Sequence, residues 1–178
     1  MMQFTLFIAL ISSCVFTFAG ENAHLKTVVI NVPTKMGELR TEIHFAEKDL
    51  TLARRAEEII RSDLTKAVEY FQHIPQDTVH FNIDPYKRLT NGNATAFPTN
   101  TINLYNFPAS NEEHLITLED WLQGLMFHEF IHIMHLDQTN GYLETGRKIF
   151  GNFAKIPAAV VPRWFAEGVA VWGESHFL

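Results

Sequence analysis

His128-Glu129-Phe130-Ile131-His132 places two imidazoles four residues apart, with a carboxylate directly after the first. On a helix, residues i and i+4 lie on one face, one turn apart, so both rings can reach a single ion. Glu129 projects about 100° further round, beside that ion rather than onto it, where it can take a proton from an attacking water. The chemistry this pattern offers is hydrolysis at a bound divalent metal, with Glu129 as general base. Phe130 and Ile131 face the core and hold the helix rigid.

A hydrolytic zinc takes three protein ligands and keeps one position open. His135 stands seven residues from His128, about 10 Å along the axis, too far for both to bind one ion from a regular helix. It reads as a packing residue or a support behind the ligands. Asp137, near the end of the helix, reads as a support for the ligand histidines. Glu144, in the following loop, stays open as a ligand. The expected third ligand is Glu167 in RWFAEGVAVWGES, because apolar neighbours would bury an unpaired carboxylate there and a buried charge requires a cation. Glu174, seven residues on and on the same helical face, has three roles open: bonding a ligand histidine, binding a substrate amine, or meeting solvent.

The elements that must position these residues follow from periodicity. Leu25–Val32 is rich in β-branched residues and Leu39–Ala46 alternates, with Met36-Gly37 suggesting a hairpin between them. Asp49 to about Phe71 carries apolar residues at three- and four-residue spacing, an amphipathic helix to pack on a sheet. Thr78–Ile83 is a third strand. Asn91-Gly92-Asn93 reads as a turn, and Thr101–Tyr105 as a short strand whose flanking Pro98 and Pro108 fit a sheet edge. Thr117-Leu118-Glu119-Asp120 reads as a capping box opening a helix to about Leu136. Tyr142–Phe153 is a short helix or loop, and Pro162 starts a last helix, Arg163 to about Ser175.

The chain has 178 residues, 47% apolar and 19% charged, a globular composition long enough for one cored domain. A net charge of −6 without a Lys/Arg cluster argues against nucleic acid as partner. Met1 to Gly20 contains no charge and has the character of a secretory h-region, with Thr17-Phe18-Ala19 as cleavage site. Residues 1–19 are therefore expected to be a signal peptide and 20–178 the folded domain. A second reading of the leader takes Ile11-Ser12-Ser13-Cys14 as a lipobox, with membrane anchoring only through a lipidated Cys14. Both lead to export, to the periplasm or cell envelope. The single cysteine excludes an internal disulfide.

Three stretches, NGNATAFPTNTINLY, HEFIHIMHLDQT and PRWFAEGVAVWGES, in this order resemble the gluzincin metallopeptidases, in particular the peptidase-MA-like domains of bacterial exported proteins. The likeness covers residues 90–178 and extends more weakly back to residue 25. The resemblance implies zinc and peptide hydrolysis, with His128, His132 and Glu167 matching the metal ligands and Glu129 the general base. Asn93–Tyr105 matches an edge strand above the cleft, where unpaired backbone groups would hold an extended peptide. The expected fold is α+β and zincin-like: a small, mostly antiparallel sheet with its edge strand over the HExxH helix, and a second helix carrying the third ligand. Relatives of this kind often continue into a β-propeller, and here the sequence runs eleven residues past Glu167. A C-terminal truncation is thus expected, with the oxyanion stabiliser of a later element missing and His176, Tyr105 or Tyr142 as substitutes. The alternative to a zinc peptidase is a catalytically incomplete zinc-binding scaffold or peptide-binding domain. In either case a partner or a missing C-terminal region would complete the cleft.

Overall fold

The computed structural model describes residues 25–84, 90–106 and 118–177. The leader with Cys14, the capping residue Thr117 and Pro108 lie outside them. β1 (Leu25–Thr34) and β2 (Gly37–Ala46) form the expected hairpin, antiparallel over ten residues, with Thr34 opposite Gly37. Gly37 takes a φ of 132°, a region open to a residue without Cβ. The expected helix runs as α1 (Leu50–Ile59), a π-helical turn (Ile60–Leu64) and α2 (Thr65–Phe71). It stops at Gln72, whose left-handed φ of 48° ends the helical path. This crossover carries the chain back to β3 (Val79–Asp84), which therefore pairs parallel with β2.

Two more strands complete a five-stranded sheet: β4 (Thr90–Thr95) and β5 (Asn100–Asn106), in the order β1-β2-β3-β5-β4. The outer pairings, β1–β2 and β4–β5, are antiparallel; the inner ones, β2–β3 and β3–β5, are parallel. The long β1–β2 ladder keeps antiparallel pairing the larger share of a mixed sheet, and the fold is α+β.

The strand read as the edge, Thr101–Tyr105, is β5 and lies inside the sheet, while Asn91-Gly92-Asn93, read as a turn, belongs to the true edge strand β4. Gly92 is there because of a close approach rather than a turn. A Cβ on it would lie 3.0 Å from the Asn103 carbonyl and 3.3 Å from Glu129 Cγ.

Alternate strand residues point to one face and form the core: Ile30 and Val32, Leu39 and Ile43, Val79, Phe81 and Ile83, Ile102 and Leu104. Ala56, Ile59, Ile60 and Leu64 pack on them from the first helical stretch, and Met126, Phe127, Phe130 and Ile133 from α3 (Leu118–Leu136). The chain continues through α4 (Tyr142–Phe150), a 3₁₀ segment (Gly151–Val160) and α5 (Arg163–Phe177). Among the described residues, no helix is long and apolar enough to cross a membrane.

Asp137, expected to support the ligand histidines, instead anchors the end of α3. Its carboxylate accepts from Arg147 Nη2 at 2.9 Å, Asn100 Nδ2 at 3.1 Å and the Gln76 amide at 3.0 Å, and pairs with Lys155 Nζ at 2.7 Å. Asp77 meets the same two cations at 2.7 and 3.0 Å. Arg147, Lys155 and Asp137 are buried, so the cluster ties α3, α4, the 3₁₀ segment and the β3 and β5 entries into one frame. Glu144, left open as a ligand in a loop, lies on α4 and pairs with Lys148 at 2.8 Å.

Candidate metal centre

α3 is apolar around most of its circumference, and the four-residue spacing puts His128 and His132 on the side facing α5. Their rings meet edge to face with centroids 4.9 Å apart. α5 crosses α3 closely because Gly173 is buried against Ile131: a Cβ there would lie 2.3 Å from Ile131 Cδ1. Along α5, Glu167, Ala170 and Glu174 follow at spacings of three and four, which keeps them on a common face. Ala170 is fully buried.

This crossing brings Glu167 Oε2 to 3.4 Å from His128 Nε2 and 3.5 Å from His132 Nε2. The three donor atoms lie within 4.8 Å of one another. Zinc–ligand bonds of about 2.0–2.1 Å in a tetrahedron set neighbouring ligand atoms about 3.3–3.4 Å apart, so both imidazole–carboxylate separations suit one such ion. Arg163 Nε donates to the other oxygen, Oε1, at 3.2 Å and leaves Oε2 for the histidines.

Glu167 thus stands where the sequence expected it, but not for the expected reason. Its side chain is 42% exposed and already paired with Arg163, so burial of a lone charge does not explain it. Burial alone would push its carboxyl up; Arg163, His132 and His128 bring it below its ordinary value. Burial, then the neighbouring His128, lowers the pKa of His132 and keeps that ring neutral, the form that binds metal.

Of the three roles open to Glu174, the geometry takes the first: Oε2 lies 3.3 Å from His128 Nδ1. A proton on Nδ1 directed at this carboxylate leaves the Nε2 lone pair free toward Glu167, a pairing common behind metal-binding histidines.

Glu129 is buried on the side of α3 toward β4, with Cγ near Gly92 and a hydrogen bond from the Ala94 backbone. Burial pushes its carboxyl above the ordinary value; His128 opposes this, Glu167 adds to it and the Ala94 bond opposes it. A raised carboxyl is a better proton acceptor. The contact with Gly92 and Ala94 was missed in the sequence because an Asn-Gly-Asn run signals a turn wherever no neighbouring element is known.

His135 packs on Phe165, ring centroids 5.6 Å apart, and lies below its ordinary pKa through burial, in keeping with a packing role. Tyr105 projects from the sheet face away from α3 and donates to Asn93, His176 stacks on Trp172, and Tyr142 is 97% exposed. Trp164, Phe165 and Trp172 line an open apolar hollow on α5. No known family model, curated protein or solved structure matches the chain.

Proposed function

We propose that the protein is an exported zinc-dependent metallopeptidase in which His128, His132 and Glu167 hold the ion and Glu129 is the general base. The reading rests on one arrangement: the donor atoms of His128, His132 and Glu167 lie within 4.8 Å of one another, and Glu129, buried against the edge strand β4, is close enough to feel the charges of His128 and Glu167. Zinc held by His128, His132 and Glu167 would supply Lewis acidity toward a carbonyl and a water. Glu129 accepts the proton of that water and returns it to the leaving amine. Glu174 fixes the ring of His128 through Nδ1, and Arg163 holds Glu167 by its second oxygen. An extended peptide lies along the free edge of β4, bound by main-chain hydrogen bonds rather than by deep side-chain pockets. The uncharged Met1–Gly20 segment supports export to the cell envelope.

The test is zinc content and peptide cleavage of the chain beside Glu129→Gln and Glu167→Ala. One equivalent of zinc lost in Glu167→Ala, with cleavage reduced about 10²- to 10⁴-fold in a zinc-loaded Glu129→Gln, is the expected result. Zinc bound without cleavage of any peptide mixture would replace the peptidase with a zinc-binding scaffold.

A further inference from the structure

The sheet has a second face, away from the helices, and it gathers polar residues. Glu42 and His44 alternate onto it from β2 and His80 from β3, with Glu42 and His80 directly paired across the parallel ladder. His44 Nε2 lies 3.3 Å from His80 Nδ1 and 3.5 Å from Glu42 Oε2, and His80 Nδ1 lies 3.4 Å from the same oxygen. The three atoms form a nearly equilateral triangle whose sides are close to the about 3.3–3.4 Å edge of a tetrahedral zinc shell.

How hydrogen bonds divide within this triangle depends on the tautomers of the two rings. A neutral imidazole carries one N–H, and the Nδ1 of His44 already faces Thr27 Oγ1 at 3.0 Å. With the His44 proton on Nδ1 toward Thr27, Nε2 turns a lone pair toward His80 and Glu42. A single cation at the centre answers all three donors at once. The side chains of Glu42, His44 and His80 are 31%, 27% and 29% exposed, so solvent reaches the triangle and can supply a further ligand.

We propose that Glu42, His44 and His80 form a second divalent-metal site on the outer face of the sheet, taking a zinc-class ion through two imidazoles and one carboxylate. Neighbouring strands hold the ligands more rigidly than a loop would. Two imidazoles and a carboxylate with an open position favour zinc or copper over magnesium or calcium. No general base like Glu129 belongs to the triangle. The ion would clamp β2 to β3, and Thr27 would steady it from β1 by fixing His44. The proposal does not depend on the peptidase reading.

The experiment is zinc stoichiometry on the full chain by equilibrium dialysis, in wild type, His128→Gln/His132→Gln, His44→Gln/His80→Gln and the fourfold variant, with circular dichroism checking each fold. Two equivalents in wild type, one in each double variant and none in the fourfold variant are expected. Cobalt in His128→Gln/His132→Gln should give the intense visible bands of a low-coordinate site, and Thr27→Val should weaken that binding about 10- to 100-fold while the fold persists. Zinc retained undiminished on replacing His44 and His80 would overturn the outer site. One equivalent that survives loss of His128 and His132, but disappears with His44 and His80 while those first two are intact, would instead uphold the outer site and remove the HExxH centre.

Discussion

Glu174 and Glu167 grip opposite nitrogens of one ring: Oε2 of the former lies 3.3 Å from His128 Nδ1, and Oε2 of the latter 3.4 Å from Nε2. The first contact orients the imidazole and fixes its tautomer. Glu174→Gln is therefore expected to weaken zinc about 10- to 100-fold without unfolding the chain. Competition against a chromophoric chelator reads this directly, and unchanged affinity would leave Glu174 a surface residue.

Gly92 separates β4 from Glu129 by the space of one methyl. With an added Cβ 3.0 Å from the Asn103 carbonyl and 3.3 Å from both Glu129 Cγ and Leu125 Cδ1, Gly92→Ala crowds the edge strand, the base and Leu125 together. Peptide turnover is expected to fall about tenfold to a hundredfold while zinc content stays at the wild-type level. A loss of zinc with turnover would show that β4 acts on the ligands instead.

The Asp137 cluster makes stability depend on acid. Burial would raise the Asp137 carboxyl, but His73, Arg147, Lys155 and the Gln76 amide hold it far below its ordinary value. A carboxylate held down in the folded chain contributes its full stability above its unfolded value of about 4, and loses it as pH falls from there toward the folded value. Stability is expected to be level in this respect above about pH 4 and to fall below it by about 1.4 kcal/mol per pH unit from this group. Asp137→Asn should flatten that decline and cost about 3–5 kcal/mol at neutral pH, because Arg147 and Lys155 stay buried with less negative charge beside them. Urea unfolding between pH 7 and pH 2 measures both effects.

The crossing of α3 and α5 is set by a missing side chain. Gly173→Ala would put Cβ 2.3 Å from Ile131 Cδ1, inside a fully buried contact. A loss of about 1–3 kcal/mol is expected, with weaker zinc as Glu167 is carried outward. Ile131→Val deletes the offending Cδ1 and should restore both in the Gly173→Ala background. Failure of that rescue in unfolding and zinc titrations would place the strain elsewhere.

Local pattern and tertiary contact divide what could be read in advance. The HExxH face was legible because four-residue spacing on one helix fixes geometry by itself. Both β1–β2 strands and the Leu50–Phe71 helical stretch followed from their periods, and Glu167 from its apolar setting, although its actual exposure shows that the helix crossing placed it. β4 was misread because Asn-Gly-Asn is locally a turn, and its contacts with β5 and α3 hold it extended. Asp137 was misassigned because its cations come from α4 and the 3₁₀ segment. Glu42, His44 and His80 could not be assembled at all: a parallel register joins strands separated in sequence by a whole helix.

Two of the three tryptophans in the chain, Trp164 and Trp172, are on α5. Trp172 is stacked on His176 with centroids 5.4 Å apart and planes within 12°, and it also lies against Tyr70 of α2. The helix that carries Glu167 therefore also carries two of the three tryptophans. A movement of it over α3 that carries Trp172 away from Tyr70 changes that ring contact, so intrinsic fluorescence becomes a label-free gauge of where Glu167 stands.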